Sequence, residues 1–185
     1  LLPAITHSQK YAAPQGSLMQ VERVTELSLT SKYGLTSDLI LDATYNPDFS
    51  QIEADAGQVD VNLRYGLFFP EKRPFFLEGS ENFNLSASGT VQVVHTRTIV
   101  NPLVGLKVSG KVGERSRIAS IYAVDELLAP EPGRSGTRAH FPIFRYKYAL
   151  GDESHVGAIL TGRELSNSFN RVIGTDASIR MTASS

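Results

Sequence analysis

The stretch "VGLKVSGKVG", residues 104–113, decides the fold class of this chain, because apolar and polar side chains alternate along it. Val104, Leu106 and Val108 occupy one set of alternate positions, and Lys107 lies in the other set. Successive side chains of a β-strand point to opposite faces of a sheet, whereas an α-helix repeats every ~3.6 residues. The stretch therefore predicts a strand with one apolar face and one polar face.

The same alternation recurs along the chain. It is equally regular in "QVDVNLRYG", residues 58–66, and in "IFRYKYAL", residues 143–150. Short turn-forming segments separate most of the alternating segments, which is typical of antiparallel hairpins. We predict an all-β, largely antiparallel chain of roughly eight strands. Six further candidate strands alternate less regularly: Leu27–Tyr33, Leu39–Tyr45, Val91–Val100, Arg117–Val124, Ser154–Arg163 and Arg171–Met181.

Composition argues against several classes of protein. The chain has 185 residues with 18 Lys+Arg against 19 Asp+Glu, and this net charge of -1 lacks the positive excess that nucleic-acid binding selects for. The absence of cysteine excludes disulfides, thiolate metal sites and cysteine nucleophiles. No apolar run reaches the ~18–20 residues of a membrane-spanning helix. We expect a β-protein with no nucleic-acid partner.

Two architectures fit the alternation: a soluble β-sandwich or barrel, and a transmembrane β-barrel. A soluble sheet buries its apolar face in a core, whereas a membrane barrel turns that face toward lipid. Strand segments of about ten residues and aromatic residues near the strand ends favour the membrane barrel. So do the long cations on the polar faces, which a wet lumen tolerates: Lys107, Lys111, Arg145 and Lys147. Alternation by itself leaves both architectures open.

A longer stretch is more specific than the alternation. "NPDFSQIEADAGQVDVNLRYGLFFPEKRPFFLEGSENF", residues 46–83, closely resembles the signature of a bacterial family of unknown function that is predicted to form outer-membrane β-barrels. "HTRTIVNPLVGLKVSGKVG", residues 95–113, and "GRELSNSFNRVIGTDASIR", residues 162–180, are similar to later stretches of the same family. Members commonly carry a family-9-like carbohydrate-binding module before the barrel. The resemblance implies a location and a fold, and it implies no known reaction.

The resemblance also implies a division of the chain. We expect residues 1–26 to be a linker or the end of a preceding domain, and residues 27–185 to be a β-barrel segment. Because this length is short of a usual full barrel, we expect an incomplete barrel. Within it, residues 66–90 are expected to form an ordered inward loop.

The expected inward loop contains "FFPEKRPFFLEG", residues 68–79, which mixes aromatic residues, charges and two prolines. The rings can pack into a small core, the charges can pair with one another or with lumen cations, and the prolines restrict the conformations of the chain. Two interpretations remain: a rigid brace between strands, or a plug or gate along a passage. The predicted plug residues are Phe68, Phe69, Glu71, Lys72, Arg73, Phe75, Phe76 and Glu78.

A short acidic stretch provides the metal candidates. Asp48, Glu53 and Asp55 are oxygen ligands of the kind that calcium prefers. The stretch lacks the alternating acids and central glycine of a calcium loop, so a solvated acidic turn is the favoured interpretation. We therefore predict no cofactor, with calcium bound by these three residues as the weaker alternative.

No motif assigns a catalytic residue. The four histidines are scattered, and the nucleophile-elbow, phosphate-loop and dinucleotide patterns are absent from the sequence. We therefore predict an outer-membrane β-barrel component for transport or surface assembly, with outer-membrane lipid and glycans or other envelope proteins as partners. The alternatives are a soluble β-sandwich binding module and, after it, a carbohydrate-active enzyme.

Overall fold

The fold is a single antiparallel sheet of eight strands that follow one another in chain order, β1 to β8. The computed structural model describes residues 2–12, 19–47, 71–85, 93–127, 137–151 and 153–181. This architecture confirms the all-β antiparallel class. The strands are β1 Leu2–Ala12, β2 Met19–Gly34, β3 Leu39–Tyr45, β4 Pro102–Val112, β5 Ser116–Glu126, β6 Arg138–Ala149, β7 His155–Leu165 and β8 Ser168–Ser178.

Helical structure is scarce in the described residues. The helix α1 spans Pro74–Leu77, and two 3-10 turns span Ser80–Phe83 and Thr96–Thr98. None of the helices in this part of the chain is long and apolar enough to cross a membrane. The sheet is open, because the described strands pair only with their neighbours in sequence and β1 does not pair with β8.

The strand register fixes which side chains share a face. Lys107 lies opposite Asp42 on one side and Ile121 on the other, and Ile121 lies opposite Ile143. Directly paired residues of antiparallel strands point to the same face. We call this the inner face, and the register places on it all four cations that the sequence put on the polar faces: Lys107, Lys111, Arg145 and Lys147.

The opposite side of the sheet, here called the outer face, is exposed and mostly apolar, and its charged residues lie at the end where β5 and β7 terminate: Glu126, Arg138, Glu164 and Arg171. Leu106 lies opposite Tyr122, and Phe144 lies opposite Leu160, with no charged residue between them in these rows. The predicted sidedness of β4 and β6 is therefore confirmed. The large exposed residues of the outer face are Leu27, Leu29, Tyr33, Tyr45, Leu106, Tyr122, Phe144, Tyr146, Val156, Leu160, Phe169 and Ile173.

The core lies between the inner face and the chain that connects β3 to β4. Phe75, Phe76, Phe83 and Ile99 come from this connection and are buried. They pack on the inner face of the middle strands, against Ala119, Ile121, Ala123, Ala139, Phe141 and Ile143. A loop therefore takes the place that a second sheet would take in a β-sandwich.

One glycine allows this loop to approach the sheet closely. A Cβ atom at Gly105 would lie 2.8 Å from the Phe75 ring and 2.9 Å from the methyl group of Thr44. Both distances are shorter than a van der Waals contact. The aromatic ring therefore rests directly on the backbone of β4.

Two of the predicted strands are not found in the described structure. The predicted strand Val91–Val100 is wrong in its described part: residues 93–100 contain the 3-10 turn and no strand. Its backbone groups bind to Arg73 and Asp125 instead of to a neighbouring strand. The predicted strand within residues 58–66 lies outside the described residues.

The first strands differ from the expected linker. Residues 2–12 form β1 and pair with Met19–Thr30 of β2, so most of residues 1–26 belongs to the sheet. The sequence of β1 lacks a regular apolar face, and backbone pairing does not require one. Described residues on both sides of the expected loop 66–90, residues 46–47 and 93–101, also lie between β3 and β4 and form no strand.

Candidate functional site: the docked loop

The candidate site is formed by residues 71–85 and 93–101, here called the docked loop, on the inner face. Pro74 begins α1 at a position where its missing N–H costs no hydrogen bond. The short helix directs Phe75 and Phe76 toward the sheet, where their rings meet edge to face with centroids 5.0 Å apart. The docked loop thus has its own aromatic core.

A buried ion pair fixes the start of the docked loop. Arg73 Nε and Nη2 each donate to one carboxylate oxygen of Glu71, both at 2.8 Å. The backbone N–H of Arg73 donates to the same carboxylate at 3.0 Å. Such a two-pronged guanidinium–carboxylate contact is strong and directional.

Arg73 also joins the two halves of the docked loop. Its Nη1 donates to the carbonyl oxygen of Ile99 at 2.5 Å, and its Nη2 donates to that of Thr96 at 2.8 Å. The Thr96 hydroxyl donates to Glu71 at 2.5 Å, and the guanidinium lies 4.4 Å from the centroid of the Phe76 ring. One side chain therefore holds residues that are far apart in sequence.

The environment of Glu71 keeps it ionised. Burial would raise the pKa of its carboxyl, but hydrogen bonds from Arg73 and Thr96 outweigh this effect and lower the pKa to about 2. The carboxylate therefore remains a full negative charge beside Arg73 at neutral pH.

Lys107 of β4 anchors the docked loop to the sheet. Its Nζ donates to the carbonyl oxygens of Phe75 at 2.7 Å and of Glu78 at 2.9 Å, at the end of α1. It also lies 3.2 Å from a carboxylate oxygen of Asp42 on the neighbouring strand. Because its side chain is only 2% exposed, the ammonium depends on these protein acceptors.

Asp125 of β5 secures the end of the docked loop. Its two carboxylate oxygens accept from the backbone N–H groups of Val100 at 3.1 Å and Asn101 at 2.5 Å. Asp125 is fully buried. The docked loop is thus held at both ends by charged side chains of the inner face.

A third inner-face charge lies beside the loop residue Asn84. Arg145 of β6 reaches across β7 to Asp176 of β8, with nitrogen–oxygen distances of 2.6 and 2.7 Å. Gly157 lies between them, and a Cβ atom there would lie 2.7 Å from the guanidinium. Arg145 also lies 3.5 Å from the carbonyl oxygen of Asn84.

The described plug residues separate into two groups. Glu71, Arg73, Phe75 and Phe76 come together on the side of the docked loop that faces the sheet, whereas Lys72 is exposed. The Glu78 side chain is also exposed, and a hydrogen bond from Lys32 at 2.5 Å is the main cause that lowers its pKa. Phe68 and Phe69 lie outside the described residues.

The calcium site stays a prediction, because Asp48, Glu53 and Asp55 lie outside the described residues. Among the residues the structure describes, no three His, Cys, Asp or Glu side chains are grouped as a metal site requires.

Sequence reasoning missed the sheet residues that hold the docked loop. Lys107 and Arg145 were predicted only as lumen-facing cations, and Asp42 and Asp125 were not singled out. One available signal was a glycine next to each cation on the inner face. Gly105 lies beside Lys107 and Gly157 lies beside Arg145, and each glycine leaves space for a buried contact.

These features define an all-β protein in which one antiparallel sheet is covered on a single face by its own loop. Residues 7–91 match the family model described as Domain of unknown function (DUF5916). No curated protein matches the chain, and no solved structure matches it.

The ion pair leads to a first prediction. Replacing Arg73 with Ala leaves Glu71 and two carbonyl groups without their donor, and we expect a loss of about 3–5 kcal/mol in the free energy of unfolding. Arg73→Lys should restore only part of this, because an ammonium lacks the planar fork. Chemical denaturation and hydrogen exchange of the loop amides measure both effects. The exposed Lys72→Ala is the control, and an equal loss in that variant would contradict the role of Arg73.

A second prediction concerns pH. The pKa of Glu71 is about 2 in the folded protein against an ordinary value of 4.5, so its stabilising effect is complete above about pH 4.5 and is lost as the pH falls toward 2. Hydrogen exchange of the loop amides, corrected for intrinsic rates, should therefore accelerate in this range. In Glu71→Gln this acceleration should be absent. If the variant showed the same acceleration as the original protein, the assignment would be refuted.

Proposed function

We propose that this chain forms part of the wall of an outer-membrane β-barrel, and that the docked loop restricts passage along the inner face. The proposal rests on how apolar and charged residues are distributed between the two faces of the sheet. The exposed outer face is apolar except at one end, whereas the covered inner face buries Asp42, Lys107, Asp125 and Arg145 beside the apolar core. This is the distribution expected of a sheet with lipid outside and a polar lumen inside.

Strand length supports the same proposal. Strands β4, β5, β7 and β8 have 11 residues each, and at ~3.3 Å per residue and a tilt of about 45° they would cross about 25 Å. This matches the height of the apolar band of outer-membrane barrels. In a soluble sandwich the outer face would instead require a second layer to cover it.

Aromatic side chains lie at both ends of the outer face. Tyr33, Tyr146 and Tyr148 lie near the end where the short turns connect β2 to β3 and β6 to β7. Tyr45 and Phe169 lie near the opposite end. Two aromatic belts flank the apolar band of membrane barrels, because amphipathic rings favour the interface.

The connection between β3 and β4 supports a restricting role for the docked loop. It leaves the sheet at residue 46, covers the inner face with Phe75 and Phe76, and returns at residue 101. In a barrel this path would place the docked loop in the lumen. A transport component with a narrowed passage is therefore the function we favour over surface assembly.

The membrane part of the proposal predicts the effect of a charge on the outer face. Val108→Arg should reduce folding into lipid vesicles by about 2–4 kcal/mol if residue 108 lies near the middle of the bilayer. Glu114→Arg, in the turn between β4 and β5, is the matched control and should fold as the original does. Complete folding of both variants in detergent-free buffer would indicate the soluble β-sandwich module instead.

The restricting role predicts a change in permeability. Deletion of Lys72–Phe76 should raise conductance in planar bilayers that contain the full-length protein, because it removes the buried rings and Arg73 together. If the deletion prevents folding, Phe76→Ala removes a single buried ring instead. Lys72→Ala is the control. Unchanged conductance with an intact sheet, checked by circular dichroism, would reduce the docked loop to a structural brace.

A further inference from the structure

Three cations form a row on the inner face, at the end of the sheet where turns connect β4 to β5 and β6 to β7. Lys111 of β4 lies directly opposite Arg117 of β5, and Arg117 lies directly opposite Lys147 of β6. Directly opposed side chains on one face have Cβ atoms ~4.5–5.5 Å apart, and like charges in such positions destabilise a sheet. Without a bound anion, this arrangement costs stability.

The surrounding carboxylates form no direct ion pair with the row, although Asp176 and Glu81 attract Lys147 from a greater distance. No described carboxylate lies within ion-pair distance of Lys111, Arg117 or Lys147. The next acid along the row, Asp176, lies beyond Gly157 and is bound by Arg145. These cations therefore differ from Lys107 and Arg145, whose partners the protein supplies.

The row opens into a cleft of about 420 Å³. Arg115 adds a further cation to its lining, and His155 lies 3.6 Å from Asp176. The two acids of the lining are Glu114 and Glu153, and Glu153 is paired with Arg180. The cleft thus combines several converging cations with enough space for a small solute.

We propose that this cleft binds the phosphate group of a small anionic solute. A guanidinium between two ammonium groups suits an oxyanion, because Arg117 offers paired N–H donors and the lysines add point charges. The bound anion would relieve the repulsion within the row. The inference goes beyond the proposed function and does not rest on it, since it requires only the described sheet.

The test is a titration of the purified full-length protein with inorganic phosphate at constant ionic strength, followed by calorimetry. We expect saturable binding, and about a tenfold weaker affinity in each of Lys111→Gln, Arg117→Gln and Lys147→Gln. The control is Arg138→Gln, which removes one positive charge from the outer-face end of β6 and should bind phosphate as the original does.

Thermal unfolding separates binding from a structural role. Phosphate should raise the melting temperature of the original protein and leave that of the triple row variant unchanged. At low salt without phosphate, the row variants should melt at the same temperature as the original or higher, because repulsion is removed. Destabilised single variants with unchanged phosphate affinity would assign the row a structural role and overturn the proposal.

Three other outcomes would also overturn it. Absence of saturable phosphate binding excludes the site, and an equal loss of affinity in Arg138→Gln would show attraction by net charge alone. Vesicles of phosphatidylglycerol provide the last comparison, with phosphatidylcholine vesicles as the control. Displacement of phosphate by phosphatidylglycerol vesicles alone would assign the cleft to a lipid headgroup instead of a solute.

Discussion

The buried ammonium of Lys107 is the constraint on which the rest of the structure depends. A charge with no access to water is costly unless hydrogen-bond acceptors surround it. Among the described residues, Asp42 is the acceptor that the sheet supplies, and two further acceptors are the carbonyl groups of Phe75 and Glu78. The sheet and the docked loop therefore stabilise each other, and neither presents a satisfied surface when they are separated.

This mutual dependence explains why the two faces of one sheet differ so strongly. On the inner face, charges provide specific contacts that fix the position of the docked loop, and the aromatic core fills the space between them. On the outer face, no loop contacts have to be specified, and apolar side chains are exposed. A Cβ atom at Gly105 would separate the Phe75 ring from β4, so a single methyl group at that position would disturb both the core and the contacts of Lys107.

Local sequence could predict the strands and their sidedness, because both depend on a period of two that each segment carries by itself. It could not predict where the chain between the strands would lie. The backbone of residues 93–100 binds Arg73 and Asp125, which are distant in sequence, and this overrides its apparent alternation. β1 was missed for the opposite reason: its residues pair through the backbone and show no regular apolar face. In the docked loop, composition indicated burial and ion pairing, but only the fold identified Lys107 as the partner.

The cations of the inner face form two groups at different positions along the strands. At the level of Lys107 and Arg145 the docked loop covers the sheet, and protein carbonyl and carboxylate groups contact both cations. Toward the short turns the docked loop no longer supplies such acceptors, and the next cations on the same strands, Lys111 and Lys147, lie beside Arg117 without protein carboxylates within ion-pair distance. Within the length of a single strand, the inner face thus changes from a surface that the docked loop covers to a surface with exposed positive charge. Packing explains the first part, and an anion is the partner that we propose for the second part.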